Sequence, residues 1–106
     1  EKFSPEKKVF SNSNSLSLDE FIEKNKINFV DLIKCDAEGA EPEIVEGLKK
    51  NSNKVDYIVI DTIGERNGED TTEIVVKLLK ERNFQIIRKP ENKIGRTVIA
   101  KNKNLD

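Results

Sequence analysis

The sequence has no histidine, methionine or tryptophan, and Cys35 is its single cysteine. One cysteine cannot form an intrachain disulfide or supply a multi-cysteine zinc site. Without a histidine to activate it, Cys35 is better interpreted as a small buried side chain than as a nucleophile. No apolar run approaches the ~20 residues that a transmembrane helix needs, and the N-terminus lacks the apolar core of a signal peptide. These absences predict a cytoplasmic protein without a membrane span.

Charge is abundant but balanced between the two signs. The 106 residues include 19 Lys and Arg and 20 Asp and Glu, for a net charge of −1. This balance disfavours broad attraction to nucleic acids or anionic membranes. Length and clustered apolar blocks indicate one folded domain. Because the first residue is Glu rather than Met, we expect the chain to be part of a longer protein.

Apolar spacing and turn residues divide the chain into two regions. Residues 1–15 mix Lys, Ser and Asn, which predicts a linker or an extended N-terminal segment. Residues 16–106 are predicted to form a partial α/β domain. The predicted helices are 18–24, 41–50 and 72–82, and the predicted strands are 30–35, 55–61, 84–88 and 97–100. Helical crossovers make the first two strands parallel neighbours, and the short turn before residue 97 predicts a final antiparallel hairpin.

Local signals support two of these elements in particular. Ser17 and Glu20 have the spacing of a capping box, which predicts a helix start at Leu18. Residues 30–35 are apolar on both faces apart from Lys34, which predicts a strand covered by helices on both sides. The segment 62–70 is predicted as a polar loop.

Carboxylates follow the first two predicted strands. Asp36 and Asp61 end parallel neighbours whose axes lie ~4.8 Å apart, so level strand ends would bring both side chains to one crevice. Such a pair suits general-base chemistry or a shared cation. Glu38 and Glu41 lie within reach of the same rim. The alternative is structural, with Asp36 capping the turn and the glutamates complementing a helix N-terminus.

Lys34 interrupts an otherwise apolar strand, on the same face as Leu32 and Asp36. A buried ammonium needs a partner, which predicts an ion pair with Asp36 or Glu38. The alternative is a lysine whose stem lies on the strand while its ammonium reaches solvent. The loop after Asp61 is expected to overhang this rim, where Glu65, Arg66 and Asp70 either contact a substrate or are simply solvated.

The run Lys34-Cys35-Asp36-Ala37-Glu38-Gly39-Ala40-Glu41, together with the preceding Leu18-Asp19 and Val30-Asp31, resembles the C-terminal half of the FkbM family of S-adenosylmethionine-dependent methyltransferases. Ser17, Cys35 and Pro42 are mild departures from the family pattern. The resemblance implies half of a doubly wound, Rossmann-like sheet, with two parallel strands, a terminal antiparallel hairpin and helices on its faces. It also implies the strand order first, second, fourth, third.

The same resemblance implies a function. The parent protein would transfer a methyl group from S-adenosylmethionine to an oxygen of a small molecule, sugar or glycan. Lys34, Asp36 and Glu38 are the implied catalytic residues, and Asp61 is added to them from its place at the end of the neighbouring strand. Asp36 and Glu38 would orient or deprotonate the acceptor, and Lys34 would hold the cluster together.

The cofactor half of the family's domain has no counterpart in this sequence. No two of the five glycines stand in a glycine-x-glycine spacing, so the cofactor-binding residues are unassigned and S-adenosylmethionine is expected to bind mainly the missing half. We therefore expect this chain alone to be inactive and to associate through the exposed edge of its first strand, giving a homo-oligomer. The competing hypotheses are a non-catalytic α/β interaction module and a carboxylate Mg²⁺ domain, which would lack a phosphate loop; no metal ligand is assigned.

Overall fold

A computed structural model describes residues 16–36, 39–62, 65–66, 69–90 and 97–105, with only the backbone described at 65–66 and 69–70. The helices are α1 (Leu18–Lys24), α2 (Glu41–Glu46) and α3 (Thr72–Glu81), and a 3-10 helix spans Ser52–Lys54. The strands are β1 (Val30–Asp36), β2 (Val55–Asp61), β3 (Glu65–Arg66), β4 (Glu69–Asp70), β5 (Phe84–Arg88) and β6 (Thr97–Asn102). The predicted linker at 1–15 and most of the predicted turn before β6 lie outside the described residues.

Within these ranges, four strands form one mixed sheet in the order β1, β2, β6, β5. β1 and β2 are parallel, whereas β6 is antiparallel to both of its neighbours, β2 and β5. The predicted strand order, parallel pair and antiparallel final strands are therefore confirmed. The segment predicted as a plain loop contains β3 and β4, which pair as a two-residue antiparallel ladder.

Helix α1 begins where its capping box predicts. The Ser17 hydroxyl accepts a hydrogen bond from the Glu20 amide at 3.1 Å, and the Glu20 carboxylate accepts one from the Ser17 amide at 2.9 Å. Two amides that the first turn would leave unpaired are thus satisfied. Ile22 anchors the helix in the core, where its side chain is buried.

Helix α2 ends earlier than the sequence predicts. Its last residue is Glu46, and Gly47 is the C-cap. The carboxylate of Asp19, on α1, accepts hydrogen bonds at 2.8 to 2.9 Å from three consecutive backbone amides, those of Lys49, Lys50 and Asn51. A continuing helix would need those amides for carbonyls four residues earlier. The predicted extension to residue 50 was wrong because an aspartate about thirty residues away binds them.

One face of the sheet carries the hydrophobic core. Register partners on this face form rows of buried or half-buried side chains, namely Ile33, Ile58, Ala100 and Ile86 in one row and Cys35, Ile60 and Val98 in the next. They share a single cluster with side chains from all three helices, including Ile22, Val45 and Leu79. None of the helices in the described part of the chain is both long and apolar enough to cross a membrane.

The side chains of the other face, which we call the open face, are exposed or half-buried. Its rows are Leu32, Tyr57, Lys101 and Gln85, then Lys34, Val59, Ile99 and Arg88, then Asp36, Asp61 and Thr97. Leu32 is 54% exposed and Tyr57 is 38% exposed. The predicted helices are present and all three contribute to the core, while Leu32 of β1 and Tyr57 of β2 stay exposed on the opposite face.

Candidate functional site

Two aspartates lie side by side where the parallel strands end. Asp36 closes β1, Asp61 closes β2, and their Cα atoms are register partners. Neighbouring strands are ~4.8 Å apart, so both side chains project from the open face at the same edge of the sheet. Thr97, the register partner of Asp61 on β6, extends this row. Asp36 is exposed and Asp61 is half-buried, which places the pair where a ligand can reach it.

Lys34 lies one row inside this edge, on the same open face. Its register partner is Val59, and Asp36 follows two positions later on β1. The side chain is exposed, and no described carboxylate forms an ion pair with its ammonium. The predicted ion pair with Asp36 is not found, and the predicted pair with Glu38 lies outside the described residues. The alternative, an ammonium reaching solvent at the rim, fits the structure.

Part of the predicted site lies outside the described residues. This applies to Glu38 and to the side chains of Glu65 and Arg66. The backbone of the β3 and β4 ladder is described, and it lies on the path from Asp61 to α3. The proposed substrate contacts of these side chains stay predictions.

The burial of the Glu41 side chain was not predicted from the sequence. Its side chain is fully buried, although its position suggested a carboxylate at the rim or near an exposed helix end. Both carboxylate oxygens accept from the Gly39 amide, at 3.1 and 3.0 Å, and Oε1 also accepts from the Thr71 hydroxyl at 2.9 Å. Gly39 has φ 105, a conformation that glycine adopts without strain. A glycine two positions before a glutamate was the one local signal for this turn.

Cys35 lies on the covered face, on the opposite side of β1 from Asp36. Burial raises the pKa of the thiol to about 11, and the negative charges of Glu41, Asp36 and Asp61 act in the same direction, while Lys34 opposes them. Only the thiolate is a strong nucleophile, so this cysteine stays unreactive near neutral pH. The structure therefore agrees with the structural interpretation of Cys35.

The described residues do not present a cluster of metal ligands. No group of three or more His, Cys, Asp and Glu side chains among them is placed to hold a metal ion. Asp36 and Asp61 form a pair, and Glu41 is committed to the Gly39 amide and the Thr71 hydroxyl.

A parallel strand pair with carboxylates at its C-terminal edge, extended by antiparallel strands, defines an open α/β domain of the Rossmann-like class. The family model described as Methyltransferase FkbM domain matches residues 4–86, more than three quarters of the chain. The chain therefore belongs to the FkbM methyltransferase domain family, as its sequence resemblance indicated. The matched range includes Asp36, Asp61 and the whole of α3. No curated protein and no solved structure gives a significant match to the chain.

A nucleotide cofactor is bound in this fold class by free backbone amides of a glycine-rich turn. Among the described residues after β1, the amide of Gly39 is not free, because it donates to the Glu41 carboxylate.

Proposed function

We propose that this chain is the C-terminal part of an S-adenosylmethionine-dependent methyltransferase that methylates an oxygen of a small molecule, sugar or glycan. Family membership supports methyltransferase chemistry. The observation that carries the site assignment is the register of Asp36 with Asp61 at the C-terminal edge of two parallel strands, where open α/β sheets bind ligands. A cytoplasmic location belongs to the same proposal, supported by the free thiol of Cys35.

Each side chain at this edge has its own role toward the acceptor. The exposed carboxylate of Asp36 accepts a hydrogen bond from the acceptor hydroxyl and takes its proton as the oxygen becomes a nucleophile. Asp61, directly beside it, orients the same hydroxyl or a neighbouring one. Glu38 assists Asp36 in this proposal, and the ammonium of Lys34 offsets the negative charge gathered at the edge.

A non-catalytic interaction module is the second candidate, because one observation favours it. The open face exposes large apolar side chains on two neighbouring strands, with Leu32 at 54% and Tyr57 at 38% exposure. Exposed apolar patches of this kind mark contact surfaces. In that case the edge aspartates would contribute charge to a protein interface.

The two candidates are separated by a methyl-transfer experiment. A longer protein containing residues 1–106 is incubated with methyl-labelled S-adenosylmethionine and separate pools of monosaccharides, oligosaccharides and small alcohols, with amines in parallel. We expect label in alkali-stable methyl ethers on oxygen. Label on nitrogen would contradict the oxygen acceptor, and no incorporation in any pool would favour the interaction module.

The same experiment includes residues 1–106 alone. We expect no incorporation from this chain, since its described residues lack a cofactor cradle. We also expect self-association on a sizing column, because the outer edge of β1 has no partner strand among the described residues, and unpaired strand edges tend to pair with another chain. Methyl transfer by residues 1–106 alone would contradict this part of the proposal, and a strictly monomeric elution would contradict the association.

A further inference from the structure

The buried carboxylate of Glu41 joins two loops that are distant in sequence. It accepts from the Gly39 amide in the turn after β1, and from the Thr71 hydroxyl thirty residues later. Thr71 is the N-cap of α3, yet its hydroxyl makes no capping hydrogen bond to its own helix. The side chain that would ordinarily cap α3 instead donates to the carboxylate at the start of α2.

A second buried contact lies beside the first. The hydroxyls of Thr62 and Thr72 are 2.7 Å apart and buried. Thr62 directly follows Asp61, and Thr72 is the first residue of α3. The start of α3 is thus attached to the turn after β1 through Thr71 and to the end of β2 through Thr72.

The interaction of the Glu41 carboxylate with the helix dipole of α2 is too weak to explain why this carboxylate is buried. A carboxylate near a helix N-terminus is stabilised only weakly, and it gains this while exposed. Full burial of a carboxylate costs far more, and only a specific set of hydrogen bonds and charges offsets that cost. A burial so costly is expected where it fixes a geometry, rather than where it only stabilises a six-residue helix.

We propose that Glu41 is a positioning residue that, through the Gly39 amide and the Thr71 hydroxyl, fixes the turn after β1 against the start of α3. Gly39 lies three positions after Asp36 in the chain, so its position bears on how the edge formed by Asp36 and Asp61 is presented. Calling that edge an acceptor site rests on the proposed function; the coupling of the two loops does not.

The first test measures amide hydrogen exchange by NMR in the Thr71→Val variant, which removes the hydroxyl and keeps the side-chain shape. Loss of one hydrogen bond to a charged group should speed exchange of the Gly39 amide by about tenfold or more, while the core amide of Ile60 changes by less than about twofold. Thr71→Ser, which keeps the hydroxyl, should restore the slow rate. Unchanged exchange at Gly39, or an equal increase at both amides, would overturn the proposal.

Glu41→Gln supplies a second variant that keeps size and removes charge, and it should also speed exchange at Gly39. The functional readout is methyl transfer by the longer protein. Thr71→Val should lower kcat with little change in the acceptor KM, and Thr71→Ser should recover it. A KM effect alone, or no recovery in the serine variant, would overturn the positioning role. If no methyl transfer exists at all, the proposed function fails while the exchange experiment still decides the coupling.

Discussion

Alternate residues of the same strands lie on opposite faces of the sheet, and the two faces differ in how deeply their side chains are buried. On the covered face, Cys35, Ile60 and Val98 form a buried row beneath the helices. On the open face, one row contains Lys34, Val59 and Ile99, and the next row contains the two aspartates. A strand of seven residues thus contributes to the core through one side and to a candidate site through the other. The comparison separates the residues that form the core from those that face away from it.

The largest expected difference between the faces is in stability. Ile60→Ala and Leu32→Ala remove the same number of carbon atoms, one from a side chain that is 1% exposed and one from a side chain that is 54% exposed. Ile60→Ala should lower the free energy of unfolding by about 2–5 kcal/mol, and Leu32→Ala by less than about 1 kcal/mol. Urea denaturation of both variants measures this. Comparable losses would show that the open face is buried in the protein as it exists in solution.

A smaller effect on stability is expected from Asp19, whose carboxylate accepts hydrogen bonds from backbone amides that follow α2. Burial alone would raise the pKa of Asp19, but hydrogen bonds from the amides of Lys50, Lys49 and Asn51 and from the Asn51 side chain outweigh it, so the pKa lies below its ordinary value of 3.8. A carboxyl with a lowered pKa stabilises the folded state above its unfolded pKa, and this contribution is lost as the pH falls through the folded value.

Asp19→Ala should therefore destabilise the protein by about 1–2 kcal/mol at neutral pH, at the lower end for charged hydrogen bonds because Asp19 is partly exposed. The deficit relative to wild type should shrink as the pH is lowered below 3.8, the ordinary value of this carboxyl. Urea denaturation as a function of pH measures both effects. Asp31→Ala, at an exposed aspartate of β1, is the matched control and should show neither. A deficit that stays constant down to acid pH would contradict the assigned role of Asp19.

Local signals predicted much of the architecture. The capping box at Ser17 predicted the start of α1, and the β-branched run ending at Asp61 predicted β2. Both patterns depend only on residues that are neighbours in the chain. Helical crossovers then required β1 and β2 to be parallel. The register of Asp36 with Asp61 agrees with that topology, which is why the candidate edge was predictable.

Contacts between distant residues were not predictable from pattern. The end of α2 depends on Asp19, and the burial of Glu41 depends on Thr71, and neither pairing leaves a local signal. The apolar neighbours of Leu32 predicted a strand covered by helices, yet Leu32 is 54% exposed. Whether a strand face is covered depends on the rest of the fold, so the sequence of β1 could not reveal the open face.

The central claim is that the edge formed by Asp36 and Asp61 on the open face acts on the acceptor. The direct measurement is kcat for methyl transfer by the longer protein carrying Asp36→Asn, compared with Asp31→Asn at the opposite end of the same strand. Removing a general base should lower kcat by about 100-fold or more, whereas Asp31→Asn should stay within about twofold of wild type. Equal rates for the two variants would contradict the claim and leave the edge aspartates with a structural role.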